Sequence, residues 1–257
     1  MAIEASSRFR EFAYLVGSAA LLLGVWHVAA SFADPRIFPG PASVFAYLWE
    51  LIASGELWQD LGATLARVAA SFVIAMLVGS VIGVALGMNG GLDRLFGPWV
   101  VLFLNLPALV VIVLAYIWFG LSEAAAIGAV AFTKIPNVVV TLREGARALD
   151  PSYSEMAAMF RFGRWKTLRH VIAPQLQPYV AAAARSGVAL IWKIVLVVEL
   201  LGRSSGVGFQ IYTSFQFFDV RAIIAWSLAF VAVMMAIELL AVQPYERSAT
   251  RWRRSNV

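Results

Sequence analysis

Apolar residues fill most of this chain in long runs, and polar positions collect in the short stretches between them. A helix needs roughly twenty apolar residues to cross a hydrocarbon core. On that measure the pattern predicts about six spans, at 12–32, 64–88, 96–119, 122–142, 178–201 and 222–242. The expected fold class is an all-α membrane protein, with 1–257 forming one transmembrane domain. The first run is too long for the core of a cleaved signal peptide and reads as a retained span. After it, 34–41 is a turn-rich stretch holding Pro35, Pro39 and Pro41. It leads into 42–53, where Val44, Tyr47, Leu48 and Leu51 share one face before Ser54-Gly55 ends the helix. That pattern predicts an amphipathic helix lying on the outer interface, with Trp49 and Trp58 in the aromatic belt.

Polar and small residues inside the spans refine the picture. Gly79, Gly83 and Gly87 recur every four residues, so they stack on one helix face and open a groove for another backbone. The groove suits a helix of the same subunit or of a partner. Pro107, preceded by Asn105, predicts a bend that frees a carbonyl, tolerated in lipid only where protein or water satisfies it. Lys134 sits near the middle of its span, on a face shared with Asn137, Thr141 and Glu144. A lysine at that depth costs several kcal/mol unless paired or wet. It marks either a translocation path or a cation satisfied by backbone carbonyls or a buried glutamate. The fifth span is the most polar. Arg185, Trp192 and Glu199 fall seven residues apart on one face, with Ser186 and Lys193 beside them. Such a face turns to the protein interior or to an aqueous path. Trp192 and Lys193 are candidates to line that path, and an ion pair of Lys193 with Glu199 is the competing reading.

Charge sets the topology. The chain is 61% hydrophobic and 14% charged, where a soluble domain carries about a quarter charged residues; the mean hydropathy is +0.80. An N-terminus inside places the basic residues from Arg8 and Arg10 through Arg94, Arg143 and Arg147 to Arg247 and Arg254 on the cytoplasmic side. Only Arg36, Arg203 and Arg221 then lie outside, so both termini are expected in the cytoplasm. The net charge of +5 is spread over loops between spans, which is no nucleic-acid footprint. The basic tail after Glu246-Arg247 anchors the last helix through anionic lipid headgroups. With no cysteine, disulfides and thiolate chemistry are excluded. His27 and His170 fall on opposite sides of the bilayer, so no histidine metal set is expected. No Gly-x-x-x-x-Gly-Lys-Ser/Thr phosphate loop is present, so the chain itself is not expected to hydrolyse ATP.

The longest polar, basic segment is 149–179. Asp150-Pro151 reads as an N-cap and first helical residue. A short helix follows through Phe160, Gly163 supplies a break, and a second short helix runs over 165–172 before Pro174 and Pro178. Glu155, Ala157, Gly163, Ile172 and Pro174 resemble the "EAA" loop of ABC-importer permeases. Met156 stands where that family has its first alanine, Arg161 where it has the glycine, and Ala173 where it has leucine. Pro107, Trp118-Phe119-Gly120, Glu199, Gly206, Gly208 and Glu246-Arg247 extend the resemblance, and the nitrate, sulfonate, taurine and bicarbonate import group is the most similar. It implies a type I importer permease of the bacterial inner membrane. Glu155, Ala157, Ala158, Gly163, Arg164 and Pro174 would form the loop that docks in an ATPase groove. Asn105, Lys134, Asn137, Trp192, Lys193 and Glu199 would line the path. ATP and Mg would sit on two partner ATPase subunits and no cofactor on this chain. The permease would work as a homodimer or with a similar permease, served by a periplasmic or lipid-anchored solute-binding protein. The cations at Arg67, Lys134 and Lys193 suit a small anion. An ion-coupled secondary transporter is the alternative, with Glu199 and Glu238 as its candidate coupling carboxylates, but no inverted repeat accompanies them. A channel would need a filter loop or charged ring, and none is visible.

Overall fold

The computed structural model describes the backbone of residues 2–244 and the side chains of residues 14 and 16–244. The basic tail from Glu246-Arg247 onward and the side chains of Arg8 and Arg10 lie outside the described residues. Helices α1 (Ala2–Ser31), α2 (Pro41–Ser54), α3 (Glu56–Met88), α4 (Gly90–Leu104), α5 (Ala108–Phe119) and α6 (Glu123–Arg147) make the first part. They are followed by α7 (Pro151–Met159), α8 (Arg164–Thr167), α9 (Ala173–Gly202), α10 (Val207–Gln216) and α11 (Val220–Ile237). No strand occurs among the described residues.

Four described helical stretches are long and apolar enough to cross a membrane: Glu56–Met88, Glu123–Arg147, Arg164–Gly202 and Val220–Val242. The expected span at 96–119 is not one straight helix. It is α4 and α5, bent by 95° at their junction, and counts as a fifth span if taken as one. The cause is local. Pro107 has no N–H, and the residue before a proline is driven out of the helical region. The Val101 carbonyl, left without its usual backbone donor, accepts from Asn105 Nδ2 at 2.7 Å. The run at 12–32 falls in α1, whose Val16–Ser31 stretch is apolar but shorter than the others. It meets the rest of the chain near its end, where Trp26 Nε1 donates to the Pro39 carbonyl at 3.0 Å.

The centre of the bundle is α3 against α6. The Gly79, Gly83 and Gly87 groove is filled by α6 of the same chain. A β-carbon at Gly79 would stand 2.6 Å from Val138 Cβ, and one at Gly83 would stand 2.7 Å from the Val139 carbonyl oxygen. At Gly87 the obstacle is the Arg143 carbonyl oxygen. Backbone atoms cannot swing aside, so this spacing holds the two helices at a distance only glycine permits. Around this pair, α5 and α9 close one core over Val68, Ile112, Val130, Ile191 and Val195. A second core joins α2, α3, α10 and α11 through Leu51, Leu57, Leu61, Trp226 and Phe230. The helix expected on the outer interface thus has its apolar face on protein: Val44 and Leu51 are buried, while Trp49 and Trp58 stay exposed.

Adding one methyl group at Gly83 forces α3 and α6 apart and is expected to destabilise the protein by about 1–3 kcal/mol. Gly128→Ala is the control, since no atom lies within 4 Å of its added carbon. Thermal unfolding in detergent checks this: Gly83→Ala lowers the midpoint, and Gly128→Ala does not.

Candidate functional sites at the two ends of the bundle

At one end, α6 and α9 are joined by a basic hairpin. Asp150 caps α7, its Oδ1 accepting from the Ser152 N–H at 2.9 Å, with Pro151 as the first helical residue. The Asp150 N–H donates to Gln175 Oε1 at 3.0 Å, which ties the start of α7 to α9. The helix closes in a Schellman turn: the Phe162 N–H reaches the Ala157 carbonyl at 2.8 Å and the Arg161 N–H the Ala158 carbonyl at 3.0 Å. Arg161 takes the left-handed conformation that this turn requires, at φ +51°. The break therefore sits at Arg161 and not at Gly163, which is an extended N-cap at φ −67°. Arg161 is also the position where ABC-importer permeases carry their glycine, so the turn stays in place while its usual residue has changed.

The second half of the hairpin differs from the short helix expected over 165–172. From Arg164 the chain runs through a π-helical turn, Leu168–Ile172, straight into α9, making one helical stretch to Gly202. Pro174 lies in its first turn and Pro178 inside it, so neither breaks the helix. In an α-helix the ring of Pro174 would crowd the carbonyl four residues back. The wider turn immediately before it relaxes that contact. Ala157 is buried, whereas Glu155, Ala158, Gly163, Arg164 and Pro174 face outward. Met159, Phe160 and Trp165 are also exposed, at 84%, 71% and 72%, which puts an apolar patch among the arginines. Behind the hairpin, Asp93 holds Arg143 at 3.2 Å and also pairs with Arg147.

The opposite end holds a buried ion cluster. All five guanidinium N–H groups of Arg67 find acceptors. Nε and Nη2 grip Glu123 at 2.9 and 2.7 Å, and Nη1 meets Glu199 Oε1 at 2.6 Å. Nη1 and Nη2 also reach the Ser205 carbonyl and hydroxyl, both at 2.8 Å. Arg203 closes on Glu123 at 2.6 Å. Glu199 is 0% exposed, and its second oxygen accepts from Thr64 Oγ1 at 3.0 Å and the Gly208 N–H at 2.9 Å. Asp60 accepts from the Gly206 N–H and from Gln210 at 2.6 and 2.8 Å. Gly206 has φ +105°, and a β-carbon there would fall on the Glu199 carboxyl group. The Gly206-Val207-Gly208 turn is thus the lid of this cluster.

This geometry redraws several expectations. Glu199 pairs with Arg67, so the ion pair considered for Lys193 and Glu199 does not form. Arg67 is saturated by Glu123, Glu199 and Ser205 and holds no donor for a passing anion. Glu199 is enclosed by protein and opens onto no surface of this chain. Asp60, Thr64, Glu123 and Ser205 were not singled out from the sequence. The signal available was the pair Asp60 and Arg67, charges seven residues apart in the first half of a span.

Between the two ends, Lys134 is 2% exposed and donates to Ser186 Oγ at 3.3 Å. Asn137 is half-buried one turn further along α6. Trp192 packs on Phe230 with ring centres 5.3 Å apart. Lys193 is exposed, its amine 5.4 Å from the centre of the Trp192 ring. Asn105 is exposed at the bend between α4 and α5. Lys134 meets Ser186 of α9, while Asn105 and Lys193 lie on separate exposed surfaces. Among the described residues no cluster of histidine, aspartate and glutamate is arranged to hold a metal.

The model of the binding-protein-dependent transport system inner membrane component family matches residues 75–254. The chain belongs to this permease family. The Bacillus subtilis (strain 168) protein described as an aliphatic sulfonates transport permease, SsuC, is 28% identical over 92% of this chain and 86% of its own length. The taurine transport system permease TauC of Escherichia coli (strain K12) is 25% identical over 95% and 90%. The methionine ABC transporter MetNI, in an inward-facing form, shares the fold at a TM-score of 0.64 with 17% identity, over 79% of this chain and 98% of that one. The permease is thus a non-catalytic membrane subunit of an ATP-driven importer that depends on a solute-binding protein and a separate ATPase. The ion-coupled alternative does not fit that family.

Two outcomes follow from the two ends. Arg67→Met strands Glu199 as a buried, unpaired carboxylate, a loss of about 3–5 kcal/mol; the double variant Arg67→Met/Glu199→Gln is expected to regain part of it in thermal unfolding. Arg161→Gly removes a left-handed side chain at a strain of about 1 kcal/mol. Hydrogen exchange at the Phe162 amide is expected to slow about fivefold, since 1.4 kcal/mol corresponds to tenfold.

Proposed function

We propose that this permease carries a small anion across the bacterial inner membrane, working as a homodimer or with a similar permease. The supporting chemistry is Lys193, an exposed cation within a span whose amine stands against the Trp192 ring. The sulfonate and taurine permeases among its relatives point the same way. On this reading both termini are cytoplasmic, and a periplasmic or lipid-anchored binding protein delivers the solute at the Arg67 end. Two ATPase subunits, which carry the ATP and Mg, dock at the hairpin end.

The observation that carries the mechanism is the unbroken helical path from Arg164 to Gly202. Glu155, Ala157, Ala158, Gly163, Arg164 and Pro174 form the docking element. When nucleotide closes the ATPase pair, α7 and α8 are displaced together, and the π-helical turn passes that displacement to α9 without an intervening loop. The bundle rocks as a packed unit, and the path between subunits exchanges one opening for the other. Asn105, Asn137, Trp192 and Lys193 border that path, and Lys134 lies behind it, enclosed against Ser186. Glu199 instead secures the outer ends of the helices that move.

Glu155 is exposed and outside the packing of this chain, so Glu155→Arg is expected to leave folding intact while reversing a charge at the docking surface. Co-purification of ATPase subunits and ATP-driven uptake are both expected to fall at least tenfold. Retention of both at wild-type level would refute the docking assignment.

A further inference from the structure

A groove lies between α9 and α11, beside the path residues Trp192 and Lys193. It has a volume of about 240 Å³, and Val188, Trp192, Lys193, Val231, Met234 and Glu238 are among its lining residues. Its walls are mostly side chains of apolar residues, and its charges are unevenly compensated. Glu238 lies 3.7 Å from Arg185 Nε, so that carboxylate is already engaged. Among the described residues no carboxylate lies within 4.0 Å of the Lys193 amine, which stands against the Trp192 ring.

Lys193 stands well inside its span, twenty residues beyond the start of α9 and nine before its end. An exposed ammonium at that depth facing hydrocarbon costs several kcal/mol. Lys134, at similar depth, avoids that position by burial against Ser186. Lys193 instead borders a cleft whose opposite walls are aliphatic. Trp192 is braced by Phe230, so the indole wall is rigid. On the far side, Glu238 opens a π-helical turn, Glu238–Val242, a distortion frequent at functional positions. A cation beside an apolar, partly aromatic cleft calls for a ligand with an anionic head and a hydrocarbon body. A head-only inorganic anion would satisfy Lys193 and leave the apolar wall without a partner.

We propose that this groove is a transit subsite for a small organic anion, its head on Lys193 Nζ and its alkyl body against Trp192, Val231 and Met234. The inference rests on the reading of the chain as an anion permease.

The test uses the permease–ATPase complex in nanodiscs, without binding protein or nucleotide, and radiolabelled butanesulfonate and methanesulfonate in equilibrium dialysis. The two probes share a head and differ by three methylenes, at about 0.8 kcal/mol per methylene buried. Butanesulfonate is expected to bind at least tenfold more tightly. Lys193→Met is expected to weaken both at least tenfold, with Lys193→Arg restoring most of the loss. Val231→Trp, which fills the groove, is expected to bring butanesulfonate down to the methanesulfonate level. Unchanged unfolding temperatures exclude misfolding of the variants. Equal binding of the two probes, wild-type binding by Lys193→Met, or retention of neither probe would overturn the subsite. So would binding that vanishes when phosphatidylcholine discs are replaced by phosphatidylglycerol, because the groove would then hold a lipid headgroup. Uptake separates the two levels of inference. A wild-type complex that drives no anion into proteoliposomes on ATP defeats the anion-permease reading, whereas one that does so without these binding differences defeats the subsite alone.

Discussion

The contact on which the rest of this structure depends is the ion pair between Arg67 and Glu199. Both partners are shut away from solvent, and a buried charge is tolerable only when paired and hydrogen-bonded. The protein meets that condition by folding three distant parts of the chain around them. Glu123 comes from the start of α6, Ser205 and the Gly206-Val207-Gly208 turn from the loop after α9, and Thr64 from α3. Each contributes a group the others cannot replace, so the ends of α3, α6 and α9 are fixed together. Gly206 and Gly208 are required there because a side chain at either would enter the space occupied by Glu199.

At the other end the constraint is of a different kind. The hairpin is held to the bundle by the Asp150–Gln175 hydrogen bond and by the continuity of α8 with α9, and most of its surface is open. Between these ends, the glycine groove of α3 keeps α6 at backbone contact distance, so the two helices move as one body. The hairpin leads without a break into α9, which packs beside the α3–α6 pair. The ion cluster at the far end limits how far the helix tips can separate. This division, one end locked by charge and the other exposed for contact, is what an element driven by a partner subunit requires.

The membrane class and the α3 groove were legible in the sequence because each rests on local rules of apolarity and small-residue spacing. The bend at Pro107 was legible for the same reason, although its 95° angle was not. The family was visible in the Glu155 to Pro174 interval. What escaped was set by long-range pairing. Glu199 and Arg67 are 132 residues apart, and no periodicity links them. Lys193, six residues from Glu199, offered a nearer and incorrect partner. The turn at Arg161 was missed because arginine is not a residue from which a left-handed conformation is inferred, whereas Gly163 is. Pro174 and Pro178 read in the sequence as punctuation, since the π-helical turn that accommodates the first has no sequence signature.

Lys134 and Lys193 show how one residue type takes two roles in one membrane domain. Both lie within spans, and among the described residues neither has a carboxylate within 4.0 Å. Lys134 is enclosed by the bundle and directs its amine to a hydroxyl of the neighbouring helix, so its charge is felt chiefly inside the protein. Lys193 is on the outer face of α9 beside an aromatic wall, so its charge is felt by whatever enters the adjoining cleft. In the Arg67 cluster, by contrast, two carboxylates, Glu199 and Glu123, are bound to arginines. Glu199 is thus a charge satisfied within the chain, whereas Lys193 keeps its amine on an exposed surface.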